Sequence, residues 1–153
     1  MSGAEATDVI TTRLADERDR PFILNCFLCA MRPSLEAWRG EWDEARERIR
    51  FDDMLDIERT TIVEVDEVDV GFVMLVETSL ILQLHTIAIA PEHQHRGIGS
   101  DIVRDVVNMG RQTNREVTLS VLTVNEDARR FYERLGFSVV EEAGEFRHMR
   151  FTA

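Results

Sequence analysis

Seven residues constrain the fold of this chain most: Gln94-His95-Arg96-Gly97-Ile98-Gly99-Ser100, set between an apolar run that stops at Pro91 and an amphipathic run of helical period. Apolar strand, glycine-bearing turn and helix, in that order, make a place where a bulky anion can approach the backbone, because glycine has no Cβ to hold it off. The first N–H groups of the helix have no intrahelical partner, and the helix dipole adds positive potential. Such a terminus binds phosphate. Other phosphate loops fit worse. A Walker A loop needs Gly-Lys-Ser/Thr, and this chain has no Lys: its 18 Lys and Arg positions are all Arg. A dinucleotide fingerprint needs a third glycine, which Gly97-Ile98-Gly99-Ser100-Asp101-Ile102 lacks. Short glycine motifs also occur in strand–helix turns that hold nothing, so the segment needs a second signal.

The pattern around it predicts one domain over residues 1–153, with 1–7 as a flexible tail. A strand over Val9–Leu14 leads to Asp16 as an N-cap and a helix running to about Met31, which Pro33 breaks. Ser34 to Phe51 reads as a second helix, with Trp38 and Trp42 four apart on one face. Thr60–Val65 and Val68–Glu77 form a hairpin about Asp66-Glu67, followed by an apolar strand over Ser79–Ala90. Gly97–Gly110 is a helix burying Ile98, Ile102, Val103, Val106 and Val107. Val117–Val124 is a strand apolar on both faces, as one covered by helices on both sides should be. Asn125 caps a short helix that Gly136 ends, and Phe137–Glu142 with Phe146–Phe151 close the chain as a hairpin about Gly144. The order predicts a mixed α/β domain.

Composition narrows the function. The formal net charge of −11 disfavours nucleic acid and anionic membranes as partners, and suits cationic acceptors or acceptors on acidic carriers. No apolar run reaches the ~20 residues that span a bilayer, and MSGAEATD has neither a basic start nor an apolar stretch, so the expected location is the cytoplasm. Cys26 and Cys29 form a C-x-x-C inside an apolar run of helical period. No second ligand pair accompanies them, and they read as core residues rather than a redox pair or half a zinc site. His93 and His95 make an H-x-H with no third ligand, so no metal is expected.

The second signal is Asn125-Glu126-Asp127-Ala128-Arg129-Arg130-Phe131-Tyr132-Glu133-Arg134-Leu135-Gly136-Phe137, about 26 residues after Gly99. Together, Q-x-x-G-x-G after a strand and N-x-x-A-x-x-F-Y-x-x-x-G-F resemble the two signatures of the GNAT (Gcn5-related N-acetyltransferase) superfamily, and the element order is similar to that family's over nearly the whole chain. The resemblance implies a central mixed sheet of about six to seven strands flanked by about four helices, splayed between the fourth and fifth strands. It implies an acetyl-CoA-dependent N-acetyltransferase whose acceptor is a small-molecule or peptide amine; an acyl-CoA-binding regulatory module without turnover is the alternative. A homodimer is compatible with either.

Carried onto this sequence, the resemblance implies that the edge of Ile87-Ala88-Ile89 pairs with the pantetheine arm. Gln94, His95, Arg96, Gly97, Ile98, Gly99 and Ser100 hold the pyrophosphate, Asn125 hydrogen-bonds the pantetheine, Tyr132 points its hydroxyl at the sulfur, and Arg134 reaches a CoA phosphate. His95, Arg96, Arg129 and Arg130 read as a dense cationic cluster on an acidic chain, effective once long-range repulsion is screened over ~8 Å. Tyr132, the one Tyr in the chain, can donate to a leaving thiolate as a general acid, or can serve only packing beside Phe131. Many family members carry a Glu on the strand before the loop. Gln83 stands at that spacing here and cannot act as a base. His85, two residues on, shares its strand face and titrates near neutrality. As base it would take the proton that an acceptor ammonium, with a pKa near ~10.4, must lose. It can equally be a ring that fills the splayed region.

Overall fold

Runs rich in Val, Ile and Phe form the strands, and a computed structural model describes how they assemble over residues 9–153. The tail expected at 1–7 lies outside the described residues. Strand β1 is Ile10–Leu14, α1 is Arg20–Arg39, α2 is Glu44–Met54, β2 is Thr60–Val65, β3 is Val68–Glu77 and β4 is Ile81–Ile89. Then come α3 (Ile98–Thr113), β5 (Glu116–Leu122), α4 (Glu126–Arg134), β6 (Phe137–Ala143) and β7 (Phe146–Phe151). The strands form one sheet in the order β1-β2-β3-β4-β5-β7-β6. Its neighbours are antiparallel except β4 and β5, which are parallel. A chain that returns by a helix, as α3 does between β4 and β5, arrives parallel to the strand it left.

Alternate residues of a strand face opposite sides of the sheet, and β3 shows which helices each side holds. Val73 belongs to a core with Ile98, Ile102, Val103, Val106 and Val107 of α3 and Tyr132 of α4. Phe72 and Met74 belong to a separate core with Ile23, Leu24 and Cys26 of α1 and Phe51 of α2. The sheet therefore has α3 and α4 on one face and α1 and α2 on the other. Phe27 stacks on Phe51, with centroids 3.8 Å apart, and joins the last two.

Pro33 does not break the first helix. It lies inside α1, which runs on to Arg39. Proline costs a helix the bond its N–H would give the carbonyl four residues back. Here that carbonyl belongs to Cys29, and Pro33 and Cys29 are both exposed, where solvent satisfies the group. Gly40 ends the helix instead. It takes a left-handed φ of 82° and donates its N–H to the Glu36 carbonyl, while Asp43 caps α2 by accepting from the Arg46 N–H. Trp38 and Trp42 are thus separated by a helix end and do not share a face. Trp38 meets Phe146 at 6.0 Å, and the Arg32 guanidinium lies over Trp42. Buried Glu47 ties α2 to α1 through its ion pair with Arg39, and it also pairs with Arg46 of its own helix.

The two cysteines also part company. Cys26 is buried against β4, whereas Cys29 is exposed, because residues three apart on α1 straddle the edge of its apolar stripe. Burial pushes the Cys26 thiol up to about 12. A thiol reagent at pH 8 is therefore expected to modify the native chain once, at Cys29, with Cys26 reacting only after denaturation. Peptide mass mapping reads this directly, and rapid native labelling of Cys26 would contradict the packing of α1 on β4.

Candidate active site

The parallel pairing of β4 with β5 is short. It runs from Ile81 opposite Glu116 to Leu84 opposite Leu119 and then stops. From Ser120 onward β5 keeps β7 as a partner, and β4 keeps β3. The strands part where β4 carries an extra residue: Met74 faces Thr86 and Leu75 faces Leu84, so His85 is bulged out of the ladder. A bulge bends its strand and increases the local twist. It also swaps the faces. Leu82 and Leu84 belong to the α3 core before the bulge, whereas after it Ile87 and Ile89 belong there and Ala88 packs with α1.

Beyond the bulge one edge of β4 is open. The Ala88 carbonyl is turned to β3, where a Cβ on Gly71 would lie 2.3 Å from it, and the Cys26 thiol reaches it at 3.7 Å. By the alternation of an antiparallel ladder, Ile87 and Ile89 then turn their N–H and C=O groups to the gap. The Ile89 carbonyl is already taken, by the Gln94 side-chain amide at 2.9 Å. Ile87 is left as the residue whose backbone faces the gap without such a lock.

At the end of β4 the chain makes the turn predicted to hold an anion. Two left-handed residues alternate with ordinary ones, His95 at φ 65° and Gly97 at φ 79°. For a non-glycine residue that region is strained, and strain of this kind gathers at functional sites. Gly97 is the N-cap of α3 and no side chain caps the helix, so the first N–H groups, those of Ile98, Gly99 and Ser100, are left to an outside acceptor. Arg96 Nη1 lies 2.9 Å from the His93 ring, which ties that imidazole into the turn. Among the described residues no group of three or more His, Cys, Asp or Glu could hold a metal ion.

Half of the cationic cluster read from the sequence, its two α4 arginines, is neutralised. Arg129 pairs with Glu126 and Glu133, and Arg130 with Asp127, because these partners stand three or four positions away on α4. Arg134 is exposed and makes no ion pair among the described residues. Asn125 caps α4, its side-chain oxygen accepting from the Ala128 N–H at 3.0 Å, so only its amide N–H₂ remains to donate elsewhere.

A cavity of about 460 Å³ opens at the gap between β4 and β5, within the usual range for small-molecule sites. It brings together Gln83, His85, Ile87, Asn125 and Tyr132. Ala88, Ile89, Arg134 and the turn from Gln94 to Ser100 do not line it. The Tyr132 ring is buried and held edge-on by Phe131 and Phe137 at 5.0 and 5.7 Å. Desolvation drives its phenol well above the ordinary tyrosine value, so it stays a proton donor at any physiological pH. His85 is exposed as a whole, yet desolvation holds its imidazole below the usual histidine value, and its Nδ1 lies 2.9 Å from the Thr86 hydroxyl. Adjacent side chains meet here because the bulge interrupts their alternation.

One polar pair in the cavity went unseen in the sequence. Ser120 of β5 lies directly opposite His148 of β7, and its hydroxyl is 2.6 Å from His148 Nδ1. Only the register of β5 against β7 could have paired them, and neither strand announces it. The apolar wall formed by Phe27, Met31 and Leu35 of α1, Met54 of α2 and Phe146 of β7 was equally hidden.

The profile of the Acetyltransferase (GNAT) family matches residues 28–137. The chain belongs to the GNAT family. Over 60 residues it is 38% identical to the 5-NmdU N-acetyltransferase of Pseudomonas phage PaMx11, a match that covers 39% of this chain and 41% of that one. The chain thus spans about two fifths of that relative. Two solved structures share the fold. PaiA N-acetyltransferase from Thermoplasma acidophilum, in complex with coenzyme A, superposes with a TM-score of 0.69 at 19% identity, over 95% of this chain and 99% of that one. A protein of Pyrococcus horikoshii OT3 does so with a TM-score of 0.70 at 20% identity, over 95% and 99%.

Proposed function

We propose that the chain is an N-acetyltransferase that moves an acetyl group from acetyl-CoA to an amine by direct attack on the thioester. The parting of β4 from β5 at His85 carries this reading: it opens a passage through the sheet from the α3–α4 face to the α1–α2 face. A donor threaded from the first face meets an acceptor lodged on the second. The coenzyme A bound by the Thermoplasma relative supports the choice of donor, and the phage relative supports N-acetyl transfer.

Each residue then has a task. The turn from Gln94 to Ser100 receives the pyrophosphate on the N–H groups of Ile98, Gly99 and Ser100, with His95 and Arg96 beside them and Arg134 on an outer phosphate. Gln94 serves through its grip on Ile89. The Ile87-Ala88-Ile89 edge takes the pantetheine arm, chiefly at Ile87, whose N–H polarises the thioester carbonyl. The Asn125 amide donates to the same arm. Tyr132 protonates the departing thiolate, and the raised phenol keeps that proton available. His85, neutral at pH 7, takes the proton that the nitrogen loses as it bonds to the carbonyl carbon. No covalent enzyme intermediate is needed: buried Cys26 faces the Ala88 carbonyl and holds its proton. The exposed free thiol of Cys29 suits a reducing compartment such as the cytoplasm.

Because desolvation lowers the His85 pKa, protonation switches the base off only on the acid side. At saturating acceptor, kcat is expected to be flat above pH 7 and to fall through an apparent pKa below 6.5. His85→Ala is expected to lower the plateau by roughly 10²-fold and to abolish that limb. A wild-type profile retained in His85→Ala would remove His85 from the mechanism.

The alternative, a module that binds acyl-CoA without turnover, draws on Gln83 standing where a carboxylate base is common in the family. CoA thiol release with a panel of amines separates the two. A pure binder is stabilised by acetyl-CoA but releases no thiol.

A further inference from the structure

No Asp, Glu or Arg lines the cavity among the described residues, where the ionisable side chains are His85, His148 and Tyr132, in a chain with 29 Asp and Glu and 18 Arg. We propose, resting on the transferase reading, that its acceptor is an apolar amine taken up in the neutral form: one amino group on a hydrocarbon body of aromatic size, with no second cationic group. The wall opposite the donor face is Phe27, Met31, Leu35, Met54 and Phe146. Two of these are methionines, whose unbranched chains adapt to an irregular apolar body.

An ammonium group placed against this apolar wall gives up part of its hydration and finds no carboxylate, the pairing a buried charge requires. A neutral amine loses little and finds partners. The Gln83 amide oxygen and the Ser120 hydroxyl, held by His148 at 2.6 Å, can accept its N–H bonds. The net charge of −11 argues the other way at long range, since it draws cations toward the surface. It raises the rate of encounter, but salt screens it beyond ~8 Å and it supplies no partner inside the cavity. A polyamine is therefore attracted to the chain and rejected by the site.

Selection of the neutral form has a signature. An alkylamine of pKa ~10.4 is neutral in only about one molecule in 2,500 at pH 7, and that share rises about tenfold per pH unit up to its pKa. Calorimetric titration of the CoA-saturated protein with 3-phenylpropylamine at pH 7, 8 and 9 is expected to show Kd falling about tenfold per unit. Spermidine is expected to bind at least ~100-fold more weakly at pH 9, since its remaining ammonium groups enter unpaired. Met31→Asp, which places a carboxylate in the wall on half-exposed α1, is expected to flatten the pH dependence and narrow the gap to spermidine, with CoA stabilisation unchanged. Tighter binding of spermidine, a Kd for 3-phenylpropylamine independent of pH, or an unaltered preference in Met31→Asp would each overturn the proposal. Binding is read here without turnover. If 3-phenylpropylamine binds as expected but releases no thiol from acetyl-CoA, the transferase reading falls and the class of ligand stands.

Discussion

Tyr132→Phe is expected to lower kcat by roughly 10–10⁴-fold while leaving the stabilisation by acetyl-CoA within about twofold of wild type. The substitution deletes one hydroxyl and keeps the ring, so the contact with Phe131 within α4 and the edge contact with Phe137 of β6, which helps hold α4 on the sheet, both remain. The Tyr132 hydroxyl makes no hydrogen bond among the described residues, so its loss leaves no protein partner unsatisfied and the variant should fold as well as wild type. A loss confined to kcat identifies a group used when charge develops on sulfur. Unchanged kcat would mean that water or another donor protonates the thiolate, and Tyr132 would then be a packing residue only.

Gly99→Glu is expected to abolish stabilisation by acetyl-CoA, and transfer with it. The argument depends on the fold tolerating the change. A Cβ on Gly99 meets only the tip of the Phe131 ring at 3.7 Å, an ordinary contact. A carboxylate in the first turn of α3 also suits the helix dipole. The apo protein should therefore keep its melting temperature to within a few degrees. What the side chain does is fill the place of the pyrophosphate and repel it. Gly97→Glu should block binding too, but it forces a side chain into the left-handed region at φ 79° and so carries a folding cost of about 1–2 kcal/mol. Gly99→Ala, with neither charge nor bulk, should bind nearly as wild type. Normal acetyl-CoA binding by Gly99→Glu would place the pyrophosphate elsewhere.

Much of this fold was legible because its signals are local. The β-branched runs, the turn at Asp66-Glu67 and the glycines around Ile98 each act within a few residues, and the strands and α3 fall where they point. Pro33 misled for the same reason: its cost is local, but an exposed Cys29 carbonyl and the stop supplied by Gly40 outweigh it. Arg129 and Arg130 misled in another way. Their acidic partners stand at helical spacing in the same segment, so the pairing that neutralises them is as local as the cluster itself. The site divides along this line. The anion turn and Tyr132 belong to contiguous motifs. The bulge at His85, the lock of Gln94 on Ile89 and the pair of Ser120 with His148 depend on strand register, which alternation alone does not determine.

The most direct test of the account is a stoichiometry. Purified protein with acetyl-CoA and 3-phenylpropylamine at pH 8 should yield CoA thiol and N-acetylated amine in equal amounts, the first by thiol titration and the second by mass spectrometry, with both lost in Gly99→Glu. Thiol without acetylated amine, or no thiol although both acetyl-CoA and the amine bind, would contradict acetyl transfer through the gap between β4 and β5.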